Sequence, residues 1–220
     1  MMQPKQAIND FVIKFANVNG TGSASANGMF AKAIFRMGIP VSPRNIFPSN
    51  IQGLPTWYEV RISQDGYLGR RGGIDMMVSV NPQSFAKDVG EVEPGGYMLY
   101  DSTKPLDLRH VRRDIHYLGI PLTEMCLREY TDSRQRQLFK NVIYVGALSA
   151  LLNIDFAILK DLVSEQFKGK EKLITPNIHA LEMGHQFAST HFQCPLGINL
   201  KAGEQTPKHI QEFDQILMDG

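Results

Sequence analysis

The sequence predicts an α/β fold, a three-layer sandwich in which helices cover a mainly parallel β-sheet. The first observation is an apolar, β-prone run over residues 11–18 that breaks at glycines and continues as a helix. The second is a pair of short apolar runs, residues 76–80 and 97–100, which are typical of buried parallel strands. The third is the helical pattern of residues from 122 onward. Together they indicate a Rossmann-like sheet with a helical C-terminal part.

The first element is a strand, a glycine turn and a helix entry. Glycine lets the backbone turn tightly and approach a ligand, and the first N–H groups of the following helix point into such a turn. The candidates for binding an anion are therefore Gly20, Thr21, Gly22 and Ser23. Ser25 stands where a dinucleotide-binding fingerprint has its third glycine, which counts against an NAD site. A turn that only joins the strand to the helix is an equal alternative.

A β-hairpin insertion is predicted next. Residues 41–47 are extended in pattern, and residues 58–63 alternate as a half-buried strand. Asp65-Gly66 is a hairpin signal, and residues 68–73 would return from it. Trp57, the single tryptophan, either lines a pocket or packs at the edge of the core.

The returning segment carries two arginines among glycines, Arg70 and Arg71. Guanidinium groups bind phosphate and carboxylate groups through paired hydrogen bonds. Arg70 and Arg71 are therefore candidates for binding a phosphorylated cofactor, and a solvated loop is the equal alternative.

Polar residues follow the apolar run at 97–100. Ligands of open α/β sheets bind where parallel strands end, so Asp101 and Ser102 are either ligand contacts or turn-forming residues. The charged segment 109–114 is more typical of a solvated face.

The last third of the chain is predicted to be helical. Residues 137–152 are apolar on nearly all sides, which indicates a buried helix, and Thr175-Pro176 predicts the start of a last long helix. His179, His185 and His191 recur on it at spacings of six residues. Because six residues turn a helix by about 600°, successive histidines point about 120° apart and do not share a metal ion.

The composition indicates an ordinary soluble domain. The 220 residues are 43% hydrophobic and 20% charged, with a net charge of +1, which argues against a nucleic-acid-binding surface. No apolar segment reaches the roughly 18 residues of a membrane span, and no secretory signal is present, so a cytoplasmic protein is expected. The two cysteines, Cys126 and Cys194, are too few for an iron–sulfur cluster or a cysteine-based zinc site.

Five segments, taken in order, resemble the N-terminal gamma domain of the alpha subunit of 2-oxoacid:ferredoxin oxidoreductases, and most closely the 2-oxoglutarate type. These segments are residues 19–27, 35–41, 47–58, 91–96 and 144–148. The resemblance covers nearly the whole chain. It predicts a gamma domain over residues 1–195 and a tail or linker over residues 196–220, leading toward a thiamine pyrimidine-binding domain.

The resemblance implies an enzyme complex that decarboxylates a 2-oxoacid on thiamine diphosphate, passes electrons to iron–sulfur clusters and ferredoxin, and forms an acyl-CoA. The implied partners are the pyrimidine-binding domain of the alpha subunit, the beta subunit, and ferredoxin through the complex. Thiamine diphosphate, magnesium and the [4Fe-4S] cluster are expected in those partners. The chain alone is expected to be inactive, with no catalytic or metal-binding residues of its own.

Residue chemistry adds a hypothesis about CoA. In it the domain covers the active site and helps to hold CoA, with Arg70 and Arg71 near the CoA phosphates and the turn at residues 20–23 near a phosphate or an incoming loop. Two alternatives remain: a free-standing nucleotide-binding protein, and a pure assembly module that binds no ligand.

Overall fold

The computed structural model describes residues 2–18, 20–47, 55–67, 69 and 71–203. Eight strands are present in this part: β1 (Ala7–Ile8), β2 (Asp10–Asn17), β3 (Val41–Ile46), β4 (Thr56–Ser63), β5 (Ile74–Ser79), β6 (Val92–Asp101), β7 (His116–Ile120) and β8 (Ile198–Asn199). The helices are α1 (Ser23–Arg36), α2 (Phe85–Glu91), α3 (Leu122–Glu129), α4 (Ser133–Leu152), α5 (Phe156–Gln166) and α6 (Ile174–His191).

Six strands form one sheet in the order β3-β4-β2-β5-β6-β7. β2, β5, β6 and β7 run parallel, and β4 is antiparallel to both of its neighbours, β2 and β3. The carboxyl ends of β2, β5 and β6 therefore meet at one edge of the sheet, which we call the carboxyl edge. The predicted α/β fold with a mainly parallel sheet is confirmed.

The two faces of the sheet are covered unequally. Alternate residues of β2 point to opposite sides, so Phe11, Ile13 and Phe15 join a large core with α1, α3, α4, α5 and α6. Val12 and Ala16 join a smaller core on the other side, where α2 is the covering helix among the described residues. The sandwich thus has three layers, one of them thin.

The position of the hairpin differs from the expectation. The hairpin strands are β3 and β4, which pair from Val41↔Ile62 to Ile46↔Trp57. The segment after Asp65-Gly66 does not return beside β4, because β5 pairs with the far side of β2. The turn signal lies where the chain leaves β4 beside the start of β2, since Ser63 pairs with Asp10. Residues 48–54, between β3 and β4, lie outside the described residues.

The buried helix predicted over residues 137–152 is confirmed as α4. It begins earlier, at Ser133, because the side chain of Asp132 accepts a hydrogen bond from the backbone N–H of Gln135 (2.8 Å) and caps the helix. The predicted last helix is α6, which crosses α4 in the core.

Residues 196–203, from the segment predicted as a tail, pack against the domain. β8 pairs in parallel with β1, and Ile198 and Leu200 are fully buried. The backbone N–H of Leu200 donates to the Leu152 carbonyl at 2.8 Å. The predicted division at residue 195 stays a prediction, and residues 204–220 lie outside the described residues.

Candidate functional site at the carboxyl edge of the sheet

The glycine turn follows β2 directly and opens α1. Gly20 and Gly22 have φ angles of 79° and 78°, the left-handed region that favours glycine. Gly22 is the N-cap of α1, and no side chain in the described part of the chain caps this helix end. The structure therefore brings the four predicted residues, Gly20 to Ser23, together at a helix N-terminus, and their ligand role stays a prediction.

Helix α4 contacts this turn, and α5 contacts the first turn of α1. The Asn141 side-chain amide donates to the Thr21 carbonyl at 2.8 Å, and the Gln166 amide donates to the Ser25 hydroxyl at 2.8 Å. A Cβ on Gly22 would overlap the side chain of Leu138. The turn is therefore held against the helical layer, and its glycine at position 22 is favoured by φ, while a larger residue there would also displace the side chain of Leu138.

A buried polar network joins the two elements on either side of the turn, β2 and α1. The Tyr144 hydroxyl is fully buried and donates to the Asn27 side-chain oxygen at 2.6 Å. Asn17, the last residue of β2, lies with its side-chain oxygen 3.5 Å from the same hydroxyl. Burial raises the pKa of Tyr144 well above its ordinary value, so this hydroxyl acts as a neutral donor.

Arg71 lies at the opposite edge of the sheet from the glycine turn. Its guanidinium contacts Asp75 at the start of β5 and lies 3.9 Å from Asp10 at the start of β2. Because β2 is eight residues long, about 23 Å of strand separates Asp10 from the turn. Arg71 and the turn therefore belong to different sites, and Arg70 lies outside the described residues.

A cleft of about 610 Å³ opens at the carboxyl edge, beyond the ends of β5 and β6. We call it the strand-end cleft. Its walls are mostly apolar, with Val80, Pro82, Phe85, Tyr100 and Leu106 among them. Its size and position are those of ligand sites in open α/β sheets.

Asp101 forms the polar end of this cleft. Its carboxylate accepts hydrogen bonds from the backbone N–H of Thr123 (3.2 Å) and the Thr103 hydroxyl (2.7 Å), and it lies 3.3 Å from the Lys140 ammonium. Burial of the carboxyl works to raise its pKa, but the bonds from Thr123 and Thr103 and the charge of Lys140 outweigh it and lower the pKa. Asp101 is therefore an ionised residue that joins the end of β6 to α3, which matches the turn-forming alternative.

A second carboxyl group lies buried beneath α2. Asp88 is fully buried and accepts hydrogen bonds from the Trp57 indole N–H (2.8 Å) and from the hydroxyls of Ser79 (2.8 Å) and Ser84 (2.7 Å). Burial raises the pKa of Asp88 despite these three donors. Trp57 packs in the smaller core, with the Lys87 ammonium 3.9 Å from its ring centroid.

The sequence pattern missed Asp88 and Lys140 as structurally important residues. Their partners lie elsewhere in the chain: Trp57 is 31 residues from Asp88, and Asp101 is 39 residues from Lys140. A weak signal existed in each case. Ser84 and Asp88 are four residues apart, and Lys140 is the lysine that interrupts the apolar helix α4.

The histidines of α6 contact three different groups. His185 Nδ1 lies 2.8 Å from the Ser149 hydroxyl, His179 Nε2 lies 3.0 Å from the Glu129 carboxylate, and His191 Nδ1 lies 2.9 Å from the Phe187 carbonyl. No group of three or more histidine, cysteine or acidic side chains suited to a metal ion occurs among the described residues.

Both cysteines are free thiols, and burial raises the pKa of Cys126 to about 11. Within the described ranges, none of the helices has the length and apolar character needed to cross a bilayer.

Comparison with known proteins identifies similar sequences. The sequence model of the family described as "Pyruvate ferredoxin/flavodoxin oxidoreductase" matches residues 12–187. Subunit alpha of 2-oxoacid:ferredoxin oxidoreductase 2 from Aeropyrum pernix is 23% identical over 84% of this chain and 35% of its own length. The 2-oxoglutarate synthase subunit KorC from Archaeoglobus fulgidus is 24% identical over 79% of this chain and 88% of its own length. The chain thus spans about a third of the first of these relatives.

Two solved structures share the fold. One is a 2-oxoglutarate:ferredoxin oxidoreductase from Magnetococcus marinus with 2-oxoglutarate, coenzyme A and succinyl-CoA bound, with a TM-score of 0.78, 23% identity, and coverage of 89% of this chain and 34% of that chain. The other is the gamma subunit of a keto/oxoacid ferredoxin oxidoreductase from Geobacter sulfurreducens, with a TM-score of 0.66, 19% identity, and coverage of 82% of this chain and 99% of that chain.

Proposed function

The chain belongs to the pyruvate ferredoxin/flavodoxin oxidoreductase family, and we propose that it is the gamma domain of a 2-oxoacid:ferredoxin oxidoreductase that uses 2-oxoglutarate. The observation that carries the proposal is that the fold of this chain matches two kinds of solved structure. The same fold accounts for nearly all of a separate gamma subunit and for about a third of a larger oxidoreductase chain. A relative of similar length, KorC, is a subunit of a 2-oxoglutarate synthase, which supports the choice of oxoacid.

The proposed role of the domain is structural and ligand-binding. The reaction implied by the family uses thiamine diphosphate and iron–sulfur clusters, and a cluster requires about four cysteine ligands. The 220 residues contain two cysteines, so the cluster has to be held elsewhere in the assembly. We assign thiamine diphosphate, its magnesium ion and the clusters to the partner domain and the beta subunit, and electron transfer to ferredoxin proceeds through them.

The domain is proposed to cover the active site and to help bind CoA. Two sets of residues are candidates, the turn at Gly20, Thr21, Gly22 and Ser23, and the pair Arg70 and Arg71. Because the turn and Arg71 lie at opposite edges of the sheet, one CoA phosphate group does not contact both. Arg71 already pairs with Asp75, but Lys5 also contacts Asp75 and would neutralise it if Arg71 turned to a phosphate.

The identity of the substrate is tested on the complete enzyme, purified through an affinity tag on this chain. We expect 2-oxoglutarate with CoA to support reduction of a one-electron acceptor, and pyruvate or a branched-chain oxoacid to support it at least tenfold less well. The proposal of 2-oxoglutarate fails if another oxoacid is preferred. The gamma-domain proposal fails if no thiamine-binding polypeptide is present in the purified enzyme.

The CoA contact is tested with two variants, one for each edge of the sheet. If Arg71 contacts a CoA phosphate, Arg71→Ala raises the KM for CoA about tenfold or more, with little change in kcat. If the glycine turn contacts a CoA phosphate instead, Gly22→Val raises the KM for CoA and Arg71→Ala leaves it unchanged. If neither variant changes the KM for CoA, the assignment of CoA to these residues is wrong.

A pure assembly module is the second candidate function. The bond from the Asn141 amide to the Thr21 carbonyl favours it, since it ties the turn to α4 within the domain. In that case both variants leave the KM for CoA unchanged, and the partner polypeptides still copurify with and without CoA. A free-standing nucleotide-binding protein would instead bind NAD or FAD in the micromolar range by calorimetry, without any partner.

A further inference from the structure

The loop between β6 and β7 carries an exposed leucine. Leu108 lies in a short 3₁₀ turn, Leu108–His110, and 82% of its surface is accessible to solvent. Among the described large apolar residues, this is the highest exposure, above Tyr67 at 74% and Phe47 at 66%. Single exposed apolar side chains are common on protein surfaces, so the surroundings of Leu108 decide whether it serves as a contact.

The turn that presents Leu108 is already formed in the free chain. Asp107 caps it by accepting a hydrogen bond from the backbone N–H of Arg109 at 3.1 Å, and the Arg109 guanidinium lies 2.6 Å from the same carboxylate. The backbone N–H of His110 donates to the Asp107 carbonyl at 3.0 Å. Leu108 is therefore held outward by local bonds, which lowers the entropy lost when a partner binds.

Arg112 anchors the base of the loop to the body of the domain. Its guanidinium donates to the carbonyls of Val89 and Val92, at 2.8 and 2.7 Å, and its backbone N–H donates to the Tyr117 hydroxyl at 2.8 Å. These bonds join the loop to the end of α2, to β6 and to β7. The loop thus projects from a fixed base.

The loop has an excess of positive charge. Residues 104–114 contain four basic side chains and two acidic ones. Arg109 and Arg112 pair with Asp107 and Asp114, whereas Lys104 and Arg113 are exposed and have no ion pair among the described residues. The loop therefore complements an acidic surface.

The same loop borders the strand-end cleft. Lys104, Leu106, Asp107 and His110 line that cleft, and Leu108 follows within the same loop. A partner that engaged Leu108 would therefore also cover part of the cleft.

We propose that residues 104–113 are a docking loop for another polypeptide of the assembly, in which Leu108 enters an apolar socket rimmed by carboxylates. The inference rests on the proposed function for the existence of that assembly. It identifies the surface and the chemistry of the partner, which the family relationship does not assign.

A photo-crosslinking amino acid at position 108 tests the contact in the complete enzyme. We expect irradiation to join position 108 to a different polypeptide of the enzyme, at an apolar surface with acidic residues nearby. The same crosslinker at Tyr67, which is also exposed but lies beyond the end of β4, serves as the control and is expected to give no such product. A crosslink to a second copy of this chain, or none in an enzyme that is otherwise assembled, overturns the proposal.

The affinity between this chain and its partner polypeptide provides a second test of the docking loop. Leu108→Ser is expected to weaken association about 30-fold, as for a leucine that becomes fully buried on binding, while Leu127→Ser on α3, 52% exposed, changes it less than threefold. Arg113→Ala is expected to slow association at low salt and to have little effect at high salt. Equal effects of the two leucine variants, in proteins with unchanged melting temperatures, contradict the docking role.

The two proposals fail in different ways. If the tagged wild-type chain assembles with no thiamine-binding polypeptide, the proposed function is wrong. If it assembles and Leu108→Ser assembles equally well, only the docking loop is wrong.

Discussion

Gly146 of α4 and Gly184 of α6 lie at the same helix crossing, and each faces the backbone of the other helix. A Cβ on Gly184 would lie 2.7 Å from the backbone nitrogen of Ala147, and a Cβ on Gly146 would lie 2.7 Å from the carbonyl carbon of Leu181. Backbone atoms cannot turn aside as a long side chain can. The close packing of the two largest helices therefore depends on the absence of a side chain at both positions.

Gly184→Ala should destabilise the protein although alanine favours helices. The added methyl group forces α4 and α6 apart, and we expect the free energy of unfolding in urea to fall by about 1–3 kcal/mol. Gly28→Ala in α1 is the matched control, because nothing lies within 4 Å of its Cβ position. It should raise the free energy of unfolding by up to about 1 kcal/mol. A loss of stability in both variants would refute the packing argument.

Substitutions in the glycine turn should separate backbone strain from packing. Gly20→Ala and Gly22→Ala both place a Cβ at positive φ, which costs about 1–2 kcal/mol each. Nothing lies within 4 Å of a Cβ at position 20, whereas at position 22 Leu138 has to move. We therefore expect Gly22→Ala to be the more destabilising in urea unfolding. Adding Leu138→Ala to each variant should remove the difference, and its persistence would show that Leu138 is not its cause.

Asp88 should make the protein less stable as pH rises. Burial places its folded-state pKa above the ordinary value of 3.8, so the folded state binds the proton more tightly than the unfolded state. This contribution favours folding at low pH and is lost as pH rises from the ordinary pKa through the raised one. Relative to Asp88→Asn, the wild type should therefore lose stability across that interval. Urea unfolding of both proteins at several pH values tests the slope, and an opposite slope would contradict the buried-acid assignment.

Asp101 should behave in the opposite way. Its pKa is lowered, so the ionised carboxylate stabilises the folded state above the ordinary value of 3.8, and that contribution is lost as pH falls through the lowered pKa. Thr123→Val removes a hydroxyl donor to this carboxylate and should cost about 1.5–3 kcal/mol at pH 7. It should also raise the pKa of Asp101, measured by a carbon-13 carboxyl titration. An unchanged pKa of Asp101 would show that the Thr123 hydroxyl does not stabilise its ionised carboxylate.

The sequence was sufficient for the parts of the fold that depend on local pattern. The strand, glycine turn and helix that begin at Phe11 were predicted, since φ near 79° at Gly20 is a local requirement. The buried strand β5, residues 97–100 of β6 and the helix α4 were predicted for the same reason, because their apolar runs leave few alternatives. The first half of β6, from Val92, was not predicted as a strand.

Contacts between distant segments were not predictable in this way. Asp65-Gly66 is a valid turn signal, but only the pairing of β5 with the far side of β2 shows that no hairpin forms there. The three donors to Asp88 come from β4, β5 and the residue before α2, and only Ser84, four residues from Asp88, is linked to it by local spacing. Arg71 likewise had the chemistry of a phosphate ligand, and only the fold shows its separation from the glycine turn.

The parallel pairing of β1 with β8 brings the first and last strands of the described part together. Residues 7–8 and 198–199 are adjacent, so these two strands lie side by side. A domain whose first and last strands are adjacent can be part of a longer polypeptide, or a separate polypeptide, with the same strand order. The domain is accordingly suited to evolution by gene fusion and fission.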